Sequence, residues 1–405
     1  MNFSNLNYDL FVSSNESRQQ KQSTRIIKCL SKSEEALTSP EIAAVVRISL
    51  PTTNKLINEL IESKWLIEEG KKETELGRRP TLYTLNKERM CAVGVVVLLK
   101  RIHVTILKIG FDELLSEQDK SFILENTQAC IDRVIAFISS VIEKSGRPKD
   151  SIMGVGIGIT GRVNTNTGES ITYFNFLQKP LADYIEEQLL LPVVIDNDTR
   201  VHGVAEKILG KGKNSQNTLI VNTSHGLGMS IVLNKKMVRG EMGFAGEFGH
   251  MHFGIGNRQC LCGKQGCLGT EVSGYALEED LKNALARGES SINFSNKTDE
   301  PIVYEAILEA AINGDSLAIE LIQKQGEKLG SALGNIINLL NPSLIVIGGK
   351  FAIVKDIFTD PVKMGLKKTV LINSANSCKV VTSELTDLAG PKGAACLIFK
   401  KFEMI

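Results

Sequence analysis

Three of the eight cysteines of this chain lie within eight residues, in the stretch CLCGKQGC at residues 260–267. His250 and His252 lie shortly before them, in the stretch GEFGHMH. Thiolate sulfur and imidazole nitrogen are the ligands that zinc prefers, usually four of them in a tetrahedron. The pattern therefore predicts a structural Zn²⁺ site with sulfur ligands from Cys260, Cys262 and Cys267 and a nearby fourth ligand. Three incidental buried cysteines, or a redox pair, are the alternatives.

The composition is that of a globular protein with two or three domains. The chain has 405 residues, of which 42% are apolar and 23% charged. Its longest apolar run, at residues 91–99, falls far short of the ~20 residues that span a bilayer. The polar N-terminus shows no signal-peptide pattern. We therefore expect a cytoplasmic protein without a membrane partner, whose other five cysteines are small buried hydrophobes because that compartment keeps thiols reduced.

Residues 1–86 have the pattern of a small helical domain that ends in two strands. Apolar spacing in TRIIKCLS predicts a first helix. Ser39, with Pro40 after it, is typical of an N-cap, and the second helix should run to about Val46. Ser49 is expected to cap a third helix. Two short helices around the tight turn RIS predict a helix-turn-helix.

Two predicted strands follow this unit. A helix-turn-helix followed by a β-hairpin is a winged helix-turn-helix. The stretch WLIEEG predicts one strand. The stretch TLYTL alternates with the two-residue period of a β-strand and predicts a second strand. In such a domain the helix after the turn enters a DNA major groove. Its polar side chains are predicted to face bases and phosphates: Thr52, Thr53, Asn54, Lys55 and Asn58.

A pair of arginines, Arg78 and Arg79, stands in the stretch GRRP between the two predicted strands. Held extended by the proline, they are predicted to enter a minor groove, where narrow A·T tracts concentrate negative potential. A solvated basic turn is the alternative for these arginines. For the domain as a whole, the alternative to double-stranded DNA is a protein partner.

Residues 87–405 alternate strand-like runs with helical patterns, which predicts an α/β domain of two lobes. The strand-like runs include CAVGVVVLL, SIMGVGIGITG, LPVVIDND and SLIVIGGK. Glycines recur near the strand ends, where they are expected to let a ligand approach the backbone. These glycines are Gly154, Gly156, Gly158, Gly161, Gly226, Gly228, Gly348 and Gly349.

The segment GEFGHMHFGIGNRQCLCGKQGC resembles the zinc signature of the ROK family, which comprises repressors, open reading frames and sugar kinases. The resemblance covers about residues 90–400. It implies a hexokinase- and actin-like fold with a sugar between two α/β lobes and zinc in the second lobe. It also implies that His250 completes the metal site with the three cysteines, while His252 lies behind it or at the surface.

The same resemblance assigns sugar contacts to residues of this chain. In IDNDT, Asn197 matches the family's sugar-binding asparagine and Asp198 its catalytic base. Glu247 and His250 match hexose contacts. Gly161 and Arg162 match a loop beside the sugar's 2-substituent.

One sugar contact of the family is missing from this chain. Gly269 stands where the family has a sugar-binding glutamate, and Glu271, two residues later, is a poor substitute. Recognition of ordinary glucose is therefore not expected. The alternatives for the ligand are a different sugar, a phosphorylated sugar and a bulkier sugar.

The residues that correspond to the phosphate-binding turns of the family's kinases differ more strongly from the family pattern. Their DxGxT turn corresponds to VGVVVLLKR, so Val96 replaces the aspartate and Leu98 the glycine. In NTSHGLG, Ser224 and His225 replace Thr-Gly. Valine cannot organise a metal ion, and metal stabilisation of phosphoryl transfer is worth several kcal/mol. We therefore expect no catalytic residue and no kinase activity.

These features together predict a sugar-responsive, zinc-containing transcriptional repressor. We expect a homodimer or homotetramer, because a dimer matches a palindromic operator. One alternative is an active sugar kinase with a fused DNA-binding domain. Another is a repressor controlled by a protein partner, such as a transporter subunit, with a vestigial sugar cleft.

Overall fold

The computed structural model describes residues 17–73, 79–254, 256, 258–294 and 301–405. Arg78, one of the two predicted minor-groove arginines, lies outside the described residues. The chain divides into two compact units. The first comprises the described residues within Met1–Ile159, Gly168–Asp196 and Ala394–Ile405, and the second comprises Thr160–Thr167 and Asn197–Gly393.

The N-terminal part of the first unit contains three helices and a three-stranded sheet, where the sequence predicts three helices and a hairpin. The sheet order is β1-β3-β2, with antiparallel neighbours. The elements are α1 (Arg18–Ser31), β1 (Leu37–Thr38), α2 (Ser39–Val46), α3 (Leu50–Glu62), β2 (Leu66–Lys71) and β3 (Thr81–Leu85).

The cap of α2 differs from the prediction by one residue. Thr38 is the N-cap, and Ser39 is already helical. Glu41 accepts hydrogen bonds from the Thr38 backbone N–H and hydroxyl, both at 2.8 Å, and pairs with Lys72 at 2.5 Å. These bonds, that from Lys72 foremost, lower the pKa of Glu41 to about 2. Ser49 is the N-cap residue of α3, as predicted, although its side chain makes no capping hydrogen bond.

The second layer of the first unit is a five-stranded sheet of order β10-β7-β4-β5-β6. Strand β4 runs parallel to β7 and antiparallel to β5. The strands are β4 (Cys91–Leu98), β5 (Arg101–Lys108), β6 (Glu113–Asp119), β7 (Ile152–Ile159) and β10 (Val193–Asn197). The helices are α4 (Gln128–Lys144), α5 (Leu181–Leu189) and, from Ala394 onward, α12 (Ala389–Lys401).

One apolar core joins the two layers of the first unit. It contains Ile26 of α1, Leu56 of α3, Leu107 of β5 and Phe399 of α12, all buried. Burial of aliphatic and aromatic side chains stabilises folded proteins by about 1.5–3 kcal/mol each. The N-terminal helices are therefore anchored on the α/β layer and on the C-terminal helix.

The second unit is built on a five-stranded sheet of order β13-β12-β11-β14-β15. Its strands are β11 (Thr218–Thr223), β12 (Leu227–Leu233), β13 (Lys236–Met237), β14 (Leu344–Gly348) and β15 (Lys379–Thr382). Its helices are α6 (Asp198–Ile208), α7 (Gly274–Ala286), α8 (Tyr304–Ile312), α9 (Ser316–Leu340), α10 (Asp356–Lys367) and α11 (Ile372–Ser377). Two further short strands, β8 (Val163–Asn164) and β9 (Glu169–Ser170), pair with each other.

Two of the predicted ligand-facing glycines serve packing instead. A Cβ on Gly156 would lie 1.8 Å from the Ala394 carbonyl oxygen, and one on Gly348 would lie 2.4 Å from the His202 ring. A side chain at position 156 would require the backbone to move, and one at position 348 would require the buried His202 ring to shift. The close neighbour of each is another part of the protein, which corrects that expectation for both.

Candidate functional site

The predicted metal ligands come together in the second unit. One ligand atom each from His250, Cys260, Cys262 and Cys267 lies within 4.8 Å of the other three. The sulfurs of Cys262 and Cys267 are 3.7 Å apart, and Nδ1 of His250 is 3.5 Å from the Cys260 sulfur. His252 is not part of this group. The four side chains can therefore hold a metal ion.

Glycines and backbone hydrogen bonds fold this segment, which we call the metal loop (residues 246–267). Gly263 and Gly266 have φ of +85° and +75°, a region that favours glycine. The Cys260 N–H donates to the Lys264 carbonyl at 2.8 Å, closing the turn between the sulfurs. At the other end, a Cβ on Gly249 would lie 2.2 Å from the Leu227 carbonyl oxygen, so the loop is pressed against β12.

The three thiols lie in different environments. Burial raises the pKa of Cys267 to about 12, whereas the backbone N–H of Lys264 lowers the pKa of Cys262. Cys262 is exposed and Cys267 is buried. Because metal ligation requires thiolates, an ion would have to displace the proton of Cys267.

Asn197 and Asp198 stand at the start of α6, as the sequence predicts for a segment after a buried strand. The Asn197 side-chain oxygen accepts from the N–H groups of Thr199 and Arg200, so it caps the helix. Its amide nitrogen donates to the Gly161 carbonyl at 2.9 Å and to the Asp198 carboxylate at 2.8 Å. The structure thus brings together three of the predicted sugar contacts.

Asp198 is held by a residue that the sequence analysis missed. The Thr160 hydroxyl donates to the Asp198 carboxylate at 3.3 Å. Burial raises the pKa of Asp198 to about 6, although this bond and the Thr199 N–H act in the opposite direction. Thr160 directly precedes Gly161, a predicted sugar contact, and this position in the sequence could have indicated that Thr160 lies near the site.

The other predicted sugar contacts are exposed to solvent. A short 3₁₀ turn begins after Glu247 and ends at His250, and the Glu247 carboxylate lies 3.9 Å from Nε2 of His250. Nδ1 of His250 faces the sulfurs, so its two nitrogens point to different partners. Arg162 is also exposed, and Gly161 has φ of +99°.

Position 269, where the family has a glutamate, leaves little space for a side chain. A Cβ on Gly269 would lie 3.2 Å from the Gly249 carbonyl oxygen, which is closer than most Cβ contacts. Glu271 is buried and binds Lys328 at 2.6 Å. Its carboxylate is therefore engaged away from position 269.

The residues on the predicted phosphate side are packed rather than open. Val96 is buried in β4 between His103 of β5 and Gly158 of β7. In the second unit, residues 224–226 join β11 to β12. We call this segment the β11–β12 turn. The Lys350 N–H donates to the Ser224 hydroxyl at 3.1 Å.

Aromatic contacts and glycine packing hold the rest of this turn. The His225 ring lies 6.4 Å from the Tyr275 ring and 6.2 Å from the Tyr304 ring, between centroids. A Cβ on Gly349 would lie 2.4 Å from the Thr223 carbonyl oxygen. Neighbouring groups therefore hold Ser224 and His225 of the β11–β12 turn, while Gly226 is exposed.

The predicted DNA-facing surface is largely exposed on α3. Asn54, Lys55 and Asn58 are exposed, and Thr52 is half-buried. Thr53 is fully buried, so its prediction as an outward residue is wrong. On a helix, position 53 falls on the side of Leu56, Ile57 and Leu60, which form the core face. Arg79 is exposed.

Among the described residues, no helix is both long enough and apolar enough to cross a lipid bilayer.

Comparisons with known proteins agree with these features. Residues 101–401 match the family described as the ROK family. The chain is 28% identical over 365 residues to the "Putative xylose repressor" of Caldicellulosiruptor sp. (strain Rt8B.4), covering 89% of this chain and 91% of that protein. It is 31% identical over 275 residues to a "Glucokinase" of Streptomyces coelicolor, covering 66% and 86%.

A solved structure supports the fold. The crystal structure of a ROK family transcriptional regulator, a homolog of the E. coli MLC protein, superposes with a TM-score of 0.78 at 24% identity, covering 95% of this chain and 98% of that chain. Together with the family match, this confirms the predicted α/β hexokinase-like ROK fold.

Proposed function

Because the chain belongs to the ROK family, we propose that it is a sugar-responsive transcriptional regulator that acts as a repressor. Residues 1–86 form its winged helix-turn-helix domain and residues 87–405 its sugar-binding domain. One observation carries this proposal. The likeness to the xylose repressor spans 365 residues, more than residues 101–401 contain, so it includes N-terminal residues outside the ROK region.

The DNA half of the proposal rests on the exposed polar face of α3. Asn54, Lys55 and Asn58, with Thr52 at the edge, read the major groove of an operator. Arg79, together with Arg78, enters the minor groove. The Glu41–Lys72 ion pair supports this arrangement, because it ties α2 to the residue that follows β2.

We assign Zn²⁺ to the group of His250 and the three cysteines. In a tetrahedral site with Zn–S bonds of ~2.3 Å, two sulfurs lie about 3.8 Å apart. The Cys262–Cys267 separation of 3.7 Å fits that value. The zinc would orient the metal loop and the His250 ring.

The effector is a sugar held by residues of the second unit. The proposed contacts are Gly161, Arg162, Asn197, Asp198, Glu247 and His250. In this assignment His250 binds zinc through Nδ1 and a sugar hydroxyl through Nε2. A sugar that favours one conformation by about 1–3 kcal/mol changes the DNA affinity of a homodimer or homotetramer about 5–150-fold.

We further propose that the protein does not phosphorylate its sugar. The buried Val96 and the contacts that hold Ser224 and His225 support this, because the resemblance aligns these positions with phosphate-binding residues of the family's kinases. A coupled ATPase assay over a panel of hexoses tests it. We expect background rates, and turnover above background would establish the kinase alternative instead.

Selection of DNA from a random library, followed by gel-shift titration, tests the DNA half. We expect the selected sites to be palindromic. Arg79→Ala should weaken binding and reduce the slope of log affinity against log salt by about one. Lys149→Ala, an exposed cation outside the N-terminal helices, should change neither. Failure to enrich any site at low salt would refute DNA binding.

Control by a protein partner is the second candidate, and Gly269 favours it because a sugar-binding carboxylate is absent there. A thermal-shift screen with mono- and disaccharides, N-acetylated sugars and sugar phosphates separates the two. A clear rise in the unfolding midpoint with one sugar supports the sugar effector. No rise with any sugar, together with capture of a transporter subunit, would support the partner.

A further inference from the structure

The α2–α3 turn (residues 47–49) carries an arginine in a backbone conformation that favours glycine. Arg47 has φ of +54° and ψ of +51°, which is the left-handed region. Helices commonly end with glycine in this conformation, because a side chain there crowds the following carbonyl oxygen. The Arg47 side chain is exposed and has no ion-pair partner among the residues that the structure describes. Its guanidinium group is therefore available to a partner outside the chain.

A second guanidinium group lies beside this turn. Arg25 of α1 donates a hydrogen bond to the carbonyl oxygen of Val46, the residue before Arg47. Within the described part of the chain, Arg25 also has no carboxylate partner. The next acidic residue towards the N-terminus, Glu41, is already paired with Lys72 at 2.5 Å. The surface of the turn is therefore positive, and it suits an anionic partner.

Apolar side chains lie on both sides of the α2–α3 turn. Four of residues 44–51 are both apolar and exposed, namely Ala44, Val45, Leu50 and Pro51. The exposed fraction is 64% for Val45 and 42% for Leu50. Single exposed apolar side chains are ordinary on protein surfaces, but a group of four beside two guanidinium groups is a mixed surface. Such a surface suits a partner that presents apolar and anionic groups side by side.

Leu50 shares one side of α3 with two of the proposed base contacts. It is the first residue of the helix, and Asn54 and Asn58 follow at intervals of four, which places the three on neighbouring turns of one face. The hydroxyls of Ser49 and Thr52 bond to each other at 2.8 Å, so the Thr52 hydroxyl is engaged within the protein. In a helix-turn-helix, the N-terminal residues of the second helix contact base edges. The exposed side chain at that end of α3 is aliphatic.

Double-stranded DNA presents the matching pair of groups. The C5-methyl of thymine is an apolar group on the major-groove edge, and phosphates line the groove. We propose that the α2–α3 turn is part of the DNA interface, in which Leu50 packs against a thymine methyl and Arg47 contacts a phosphate. Leu50 thus specifies a base, while Arg47 fixes the position of the domain on the duplex. This inference rests on the DNA binding proposed above and names part of its specificity.

Gel-shift titration on a selected operator tests the role of Leu50. Replacing thymines one position at a time with deoxyuridine removes only the methyl group. At one position the wild type should lose about fourfold in affinity per half-site. Leu50→Ala should bind the thymine operator more weakly and lose no further affinity at that position. Ile67→Ala, at a similarly exposed apolar residue of β2, should keep the full loss.

Replacement with glycine tests Arg47 separately from folding. Glycine suits the left-handed backbone, so the stability of Arg47→Gly should be unchanged or higher, while the slope of log affinity against log salt should fall by about one per protomer. Arg47→Lys should restore the slope. Lys64 is the matched control, because it is also exposed and has φ of +61°. Lys64→Gly should be equally stable and keep the wild-type slope.

Two results would overturn the proposal. One is that no thymine of the operator shows a methyl effect that Leu50→Ala abolishes, and the other is an unchanged salt slope in Arg47→Gly. If the wild type binds the operator, either result overturns this inference alone and leaves the proposed repressor function standing. Absence of wild-type binding to any selected site would overturn both.

Discussion

The metal loop and the β11–β12 turn are both next to strand β12, but their side chains differ in exposure and in the contacts that they make. The metal loop leaves Glu247 and His250 exposed and gathers four metal-binding atoms within 4.8 Å. The β11–β12 turn holds the Ser224 hydroxyl in a backbone hydrogen bond and the His225 ring against two tyrosines. The first segment thus leaves polar groups accessible to solvent, while Ser224 and His225 of the second are held by contacts within the protein.

Removing one metal ligand is expected to have the largest effect. Structural zinc contributes about 10 kcal/mol or more in small sites, so Cys260→Ala should lose the metal and unfold the metal loop. Metal analysis and thermal unfolding measure this. Cys378→Ala, at a cysteine outside the group, should retain one metal per chain. Full metal content in Cys260→Ala would show that the ligand assignment is wrong.

The packing of the β11–β12 turn can be tested with two glycines. Gly349→Ala places a methyl group 2.4 Å from the Thr223 carbonyl oxygen at φ of +79°, so it should cost about 3 kcal/mol or more. Gly226→Ala, with no atom within 4 Å of the added carbon, should cost about 1 kcal/mol or less. Chemical denaturation gives both free energies. Equal, small costs would mean that the turn is not packed and that a phosphate could enter.

Asp198 gives a pH-dependent test of the sugar side. Its folded pKa of about 6 exceeds the ~3.9 of an unfolded aspartate, so the folded state holds a proton more tightly. The stability this contributes is present at low pH and lost as pH rises through 6. Between about pH 5 and pH 7.5 the free energy of unfolding should fall by about 1 kcal/mol from this group.

The matched variants isolate that contribution. Asp198→Asn should remove the fall, whereas Asp183→Asn, an exposed aspartate on α5, should keep it. Unfolding is followed at both pH values. An unchanged pH dependence in Asp198→Asn would place the proton on another group.

Replacement of His225 tests the aromatic contacts of the β11–β12 turn. Replacement with alanine removes two ring contacts, each worth about 0.5–1.5 kcal/mol, so stability should fall by about 1–2 kcal/mol. Metal content and sugar response should not change. A change in either would mean that the two segments are coupled.

The sequence by itself determined the features that are encoded locally. The cysteine spacing, the position of Asn197 after a buried strand and the Ser49 cap each depend on a few neighbouring residues, so they could be predicted from the chain alone. The ROK signature extended that prediction to the two-lobed fold, because it is a contiguous motif.

Only the tertiary structure decided which side chains are buried and which distant residues meet. Thr53 looked like a groove-facing residue, but the helix turns it toward the core. Gly156 looked like a ligand-facing glycine, but Ala394 fills the space beside it. The ion pair between Lys328 and the buried Glu271 joins residues that lie 57 positions apart in the sequence. Such contacts depend on how elements pack across long sequence separations, which no local spacing records.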